Sequence, residues 1–175
     1  MQCEAMRQSM SEIRYTYCDG LLGTMLLAAD ERGLRSINFA ASKRAEQPQA
    51  DWREDSAFFL EPIRELWAYF EGELKEFDLP LAPEGTEFQM RVWQSLRDIP
   101  YGETISYGQL AARLGNPKAS RAVGLANGSN PIPIIIPCHR VLGSDGSLVG
   151  YGGGLENKRI LLALESRQRC LIATA

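Results

Sequence analysis

The sequence predicts an α+β fold in two parts: a small amino-terminal α/β domain with an antiparallel sheet over residues 1–83, then a mainly helical carboxy-terminal domain over 84–175 containing a helix-turn-helix. Three observations carry this expectation. Short apolar or alternating runs separated by Gly-containing turns dominate the first half. Capping-box signatures followed by apolar repeats dominate the second. Between them lies Leu79-Pro80-Leu81-Ala82-Pro83, a stretch that suits neither a helix interior nor a central strand.

In order along the chain, Ile13–Tyr17, Leu21–Ala28 and Leu34–Phe39 read as strands. Asp19-Gly20 and Glu31-Arg32-Gly33 supply the turns that antiparallel hairpins need. Residues 40–52, rich in Ala, Ser, Gln, Lys and Pro, read as a surface loop. A helix is expected from Asp55, with Phe58, Phe59, Ile63, Leu66, Trp67 and Phe70 along one side. Past the proline-rich linker, Thr86 with Gln89 caps a helix in which Phe88, Val92 and Leu96 recur every four residues, ending at Ile99-Pro100-Tyr101-Gly102. Ser106 with Gln109 opens a shorter helix that closes at Gly115. After Asn116-Pro117 a third runs from about Lys118 to Ala126. Two short helices across a tight Gly/Pro turn suit a helix-turn-helix and an ordinary helical hairpin equally on spacing alone.

At 175 residues, with 45% apolar and 23% charged side chains, the composition is that of a folded, water-exposed protein. No apolar run approaches the ~18 residues that cross a bilayer, so no membrane partner is expected. No apolar stretch follows a basic head, so the expected location is the cytoplasm. The four cysteines, Cys3, Cys18, Cys138 and Cys170, are not spaced as Cys-x-x-Cys, and His139 is the one histidine. That ligand set suits neither a structural metal site nor any metal cofactor, and free thiols are expected. The net charge of −3 is unevenly spread. Residues 1–85 hold nine basic and sixteen acidic side chains; residues 86–175 hold ten and six, an excess of +4 that could attract phosphate.

Asn130-Pro131-Ile132-Pro133-Ile134-Ile135-Ile136-Pro137-Cys138-His139-Arg140-Val141 carries the chemistry. The isoleucines predict a buried, extended segment that Pro137 stops. It delivers a cysteine beside the histidine, then an arginine. A thiol becomes a nucleophile where an imidazole, a cation or a helix N-terminus favours its thiolate. Adjacent side chains of a strand point apart, so contact between Cys138 and His139 requires the chain to turn helical at Pro137. A buried structural cysteine fits the residues as well. His139 and Arg140, if buried, need partners.

Residues 86–165 resemble the O6-alkylguanine-DNA alkyltransferases. The motifs are Phe88-Gln89-x-x-Val92-Trp93, Ile99-Pro100-Tyr101-Gly102-Glu103-Thr104-x-Ser106-Tyr107, Ser120-Arg121-Ala122-Val123-Gly124, Pro137-Cys138-His139-Arg140-Val141 and Gly150-Tyr151-Gly152-Gly153-Gly154-Leu155. The first half resembles that family's small α/β domain more loosely. The resemblance implies direct-reversal repair: a methyl or other alkyl group passes from guanine O6 in duplex DNA to Cys138, irreversibly and once per molecule, with O4 of thymine as a second candidate substrate. It implies that His139 relays the thiol proton through a water and that Glu165 holds that histidine. Tyr107 would protonate the departing purine, and Asn130 would brace the turn before the cysteine segment. Arg121 would fill the duplex after the alkylated base has flipped out, from a helix in the minor groove with Lys118, Ser120, Ala122 and Ala126 at the DNA. Val141, Tyr151, Gly152 and Gly153 would wall the pocket; some family members carry serine where Gly152 stands. No cofactor is implied, and a monomer is expected without DNA.

Two other classes compete. A non-enzymatic damage-recognition protein shares this fold but lacks the reactive cysteine, and Cys138 argues against it. A cysteine hydrolase would use Cys138 and His139 but leaves Arg121 unexplained. A transcriptional role would call for an added cysteine-rich amino-terminal domain.

Overall fold

β1 (Arg14–Gly20), β2 (Gly23–Asp30) and β3 (Gly33–Phe39) form an antiparallel meander. The structure, a computed structural model, describes residues 12–40, 42 and 46–173, with side chains as far as Ser166. Cys3 and the side chain of Cys170 lie outside that range. The two-residue β4 (Arg53–Glu54) adds parallel to β1, giving the order β3-β2-β1-β4.

The first hairpin turns two residues later than its Asp19-Gly20 dipeptide suggests. Gly20 pairs with Gly23, so Leu21-Leu22 makes the turn. Gly23 supplies the left-handed φ of 86° there, Leu22 is buried, and Asp19 stays in the strand, accepting from Thr24 Oγ1 at 2.5 Å. The second hairpin pairs Asp30 with Gly33 as expected, with a bulge at Ala28/Ala29.

Asp55 caps a 3₁₀ turn, Ser56–Phe59, ahead of α1 (Leu60–Glu71). The apolar face of this stretch is rotated from the expected one. Phe59, Leu66 and Tyr69 are buried, whereas Phe58 and Trp67 are exposed. Glu65, also buried, accepts from the Asp78 N–H at 3.0 Å and fixes the chain after the helix. The proline-rich linker then runs beside β3, with Leu34 N donating to Pro80 O and Ala82 N to Leu34 O, both at 2.8 Å.

Both capping boxes form. Thr86 and Gln89 open α2 (Glu87–Arg97), and Ser106 and Gln109 open α3 (Tyr107–Arg113). After Gly115, at φ 78°, a 3₁₀ turn over Pro117–Ala119 leads into α4 (Ser120–Gly128). This third helix therefore starts and ends about two residues later than its pattern suggests. Trp93 Nε1 donates to Ala126 O at 2.8 Å, locking α4 onto α2.

The isoleucine run is buried as expected but is not an extended strand. Ile134 has φ 78°, and Ile136 N donates back to Ile132 O at 2.9 Å, so the segment folds on itself. Its prolines remove the N–H groups that a ladder would need. Past Pro137 the chain winds into a 3₁₀ turn, Cys138–Arg140, and enters β6 (Val141–Leu142), which pairs parallel with β5 (Ile105–Ser106). The closing helix is α5 (Leu155–Ala173). Edge strand β3 meets the segment directly: Ile37 N donates to Pro131 O at 2.9 Å, and the Phe39 ring packs 6.4 Å from that of Tyr151.

Candidate active site

The 3₁₀ turn after Pro137 buries three consecutive polar or reactive side chains, Cys138, His139 and Arg140. Buried ionisable groups need partners, and α5 supplies one in Glu165. This carboxylate is 1% exposed. Its Oε1 accepts from Tyr69 Oη at 2.7 Å and Arg140 Nη2 at 2.8 Å, and lies 2.9 Å from His139 Nε2. Its Oε2 accepts from the Gly102 N–H at 2.9 Å and Arg140 Nε at 3.0 Å. Arg140 Nη1 donates to Ile99 O at 2.6 Å. Burial pushes the Glu165 carboxyl up, but His139 and Arg140 outweigh it and hold the group at about 2.

An ionised Glu165 fixes the histidine tautomer. It can only accept, so His139 Nε2 carries the proton and Nδ1 keeps the lone pair. Nδ1 is buried with no hydrogen-bond partner among the described residues. Burial also lowers the His139 pKa, more than Glu165 raises it, so the resting imidazole is neutral. That leaves a base lone pair one residue from the thiol. No hydrogen bond joins Nδ1 to Cys138 Sγ directly.

Cys138 is 2% exposed, and burial raises its thiol to about 11, although the Asn130 amide and Lys158 pull the other way. It rests as a thiol. Asn130 donates through Nδ2 to Ile136 O at 2.8 Å and accepts from Ile132 N at 3.0 Å, so it does tie the loop before the cysteine together. Tyr107, at the start of α3, is half-buried, its hydroxyl 3.1 Å from Val149 O and 3.2 Å from Gly150 O. Tyr151 Oη is buried without a partner among the described residues. Val141 is fully buried. Gly153 lies so near Phe39 that an added Cβ would fall 2.5 Å from its ring. Gly152 accepts through its carbonyl from Ser42 Oγ at 3.3 Å.

Two family models match the chain: the 6-O-methylguanine DNA methyltransferase DNA-binding domain over residues 87–167, and the ribonuclease-like domain of the same proteins over 13–83. The methylated-DNA–protein-cysteine methyltransferase of Methanosarcina acetivorans is 56% identical over 86% of this chain and 97% of its own length. The chain belongs to the 6-O-methylguanine DNA methyltransferase family. The Mycolicibacterium paratuberculosis methyltransferase is 49% identical over 89% of the chain and 93% of its own. Among solved structures, the Mycobacterium tuberculosis OGT in complex with DNA is 47% identical, with TM-score 0.82 over 89% of this chain and 94% of that one.

On the methyltransferase's α4, Arg121 and Ala122 are exposed, as is Lys118 just before it, and Ser120 is half-buried with its hydroxyl on Pro117 O at 3.4 Å. Ala126 lies off that exposed side: it is 3% exposed, and its carbonyl accepts from the Trp93 indole of α2. Leu125, 75% exposed and one turn after Arg121, takes the outward position instead.

Three residues around the thiol escape the sequence reading. Tyr69 comes from the other half of the chain, and nothing local announces it. Lys158 is fully buried, donating at 2.6 Å to both Val141 O and Val149 O; its place on the α5 face of Leu161 and Glu165 was a readable signal. Burial drives its pKa down to about 8. Asn127 is buried at the end of α4, between Tyr107 and Cys138.

Proposed function

We propose that this methyltransferase repairs O6-alkylguanine in DNA by moving the alkyl group to Cys138, once per molecule. The observation that carries the reading is the buried sequence Glu165–His139, with an unpaired imidazole lone pair beside a resting thiol. As the base arrives, the thiol proton passes through one water to His139 Nδ1, and the imidazolium is held by the Glu165 carboxylate. Sulfur bonds to the alkyl carbon while the carbon–O6 bond breaks, and that electron pair passes into the purine. Tyr107 gives its proton to a purine ring nitrogen, and the proton taken by His139 returns to the phenolate. The product is a thioether with no leaving group, so the thiol does not return.

The DNA face is Lys118, Arg121, Ala122 and Leu125. The small side chains at Ala119, Ala122 and Gly124 suit approach to the minor groove, and Arg121 occupies the space of the flipped nucleotide. Val141, Tyr151, Gly152 and Gly153 wall the base pocket. The protein works as a monomer before it meets DNA, in the cytoplasm; no helix among the described residues is long and apolar enough to cross a membrane.

The test is intact and peptide mass spectrometry after incubation with a duplex containing O6-methylguanine. One methyl group per molecule, on the peptide carrying Cys138 and absent in Cys138→Ala, is expected. No added mass with the duplex still bound would favour damage recognition, and more than one product per protein would favour a hydrolase. The same assay with O4-methylthymine decides the second substrate.

A further inference from the structure

Asn127 is 1% exposed, and its side chain is placed where the chemistry converges. Nδ2 lies 3.3 Å from Tyr107 Oη and 3.4 Å from Cys138 O. The main-chain carbonyl can only accept, so the amide nitrogen must face it, and this fixes the flip of the carboxamide. Oδ1 is buried and has no partner among the described residues. Asn127 and Cys138 also line one cavity of about 250 Å³, together with Asn130 and Gly152. A buried asparagine using both donors on the Tyr107 hydroxyl and the Cys138 main-chain carbonyl, and leaving its acceptor unused, is costly as mere packing.

We propose that Asn127 is a positioning residue for the transfer, tying the Tyr107 hydroxyl to the backbone of Cys138 so that proton donor and nucleophile are set relative to one another before the base enters. The idea rests on the alkyl-transfer reading above. In the free protein the Tyr107 proton has Val149 O and Gly150 O as acceptors, at 3.1 and 3.2 Å. When the purine takes that proton, the growing negative charge on the phenol oxygen is met by the Asn127 N–H already aimed at it. Burial and the nearby Cys138 raise the Tyr107 pKa, and the Asn127 hydrogen bond opposes them. A preplaced donor to a phenolate is a means of stabilising charge that develops only in the transition state.

The test is a double-mutant cycle of Asn127→Leu and Tyr107→Phe, read as the single-turnover rate of Cys138 methylation on an O6-methylguanine duplex. Each single variant is expected to slow transfer, Asn127→Leu by about tenfold, a fraction of the 10²–10⁴ that a general acid supplies. The double variant should be no slower than Tyr107→Phe alone, because Asn127 acts through that phenol. Multiplying losses would overturn the proposal, and so would an Asn127→Leu rate equal to the wild type. If the leucine variant does not fold, Asn127→Asp of the same shape replaces it. A carboxylate cannot donate to the phenol oxygen, so the same loss is expected, with a pH–rate profile altered relative to wild type. A wild-type-like rate and profile for Asn127→Asp would equally refute it. The wild-type chain run in parallel separates the two levels. If it takes no methyl group, the alkyl-transfer reading fails; if it does and the losses multiply, only the role of Asn127 falls.

Discussion

Replacing Glu165 by glutamine removes one charge and leaves the shape. The carboxyl is held at about 2 in the folded chain against an ordinary 4.5. Each pKa unit by which folding depresses a carboxyl is worth about 1.4 kcal/mol, so the whole depression corresponds to about 3.5 kcal/mol; with His139 neutral its charge drops out, and the carboxylate contributes about 3 kcal/mol at neutral pH. A second route gives a similar size. Arg140, 6% exposed, would lose its counter-ion, and breaking a buried pair from one side costs roughly 3–5 kcal/mol. For a chain of this length, 3 kcal/mol lowers Tm by roughly 6–12 °C. The sign with pH follows from the depressed pKa. The stabilisation is complete above the unfolded value near 4.5 and is lost as pH falls towards 2. Urea unfolding of wild type and Glu165→Gln at pH 7 and pH 3.5 is the assay. The gap between them should be about 3 kcal/mol at pH 7 and about 1 kcal/mol smaller at pH 3.5. A gap below about 1 kcal/mol at pH 7, or one that ignores pH, would refute the reasoning.

The other predictions concern the thiol, the DNA face and the pocket wall. With its pKa pushed up to about 11, Cys138 of the free protein should react slowly with iodoacetamide at pH 7, the rate climbing about tenfold per pH unit through pH 9; a plateau by pH 8 would contradict the buried-thiol picture. Arg121→Ala should lose more activity on duplex DNA than on free O6-alkylguanine, and equal losses would remove Arg121 from the DNA face. Gly153→Ala drives a Cβ to 2.5 Å from the buried Phe39 ring, so thermal melts should show a loss of roughly 1–3 kcal/mol; an unchanged Tm would mean that the loop gives way freely.

What the sequence disclosed depended on how far apart the partners lie. Thr86 with Gln89 and Ser106 with Gln109 are three residues apart, and both boxes form. The pairing of Glu165 with His139 entered only through family resemblance, and its Tyr69 contact, 96 residues away, had no local signal. Burial of the isoleucine run was readable, but its shape was not. Proline spacing and the Asn130 bonds decide that, against the strand preference of isoleucine. The Asp19-Gly20 dipeptide misled because its turn chemistry yielded to the packing of Leu22 and the positive φ of Gly23. Ala126, which the resemblance sets with the exposed residues of its helix, is buried against Trp93, a tertiary contact that no local pattern announces.

The Tyr69 hydroxyl on Glu165 bears on what would happen if the polypeptide were severed in the linker. A fragment starting after Pro83 would keep thiol, imidazole and carboxylate, but Glu165 would lack one of its donors. Pro131 O, too, would lose the N–H of Ile37. The severed amino-terminal fragment would hold none of Cys138, His139 and Glu165, yet its return would restore both bonds at once. Were labelling of Cys138 to require those two bonds, it would permanently record that two separately expressed fragments had met.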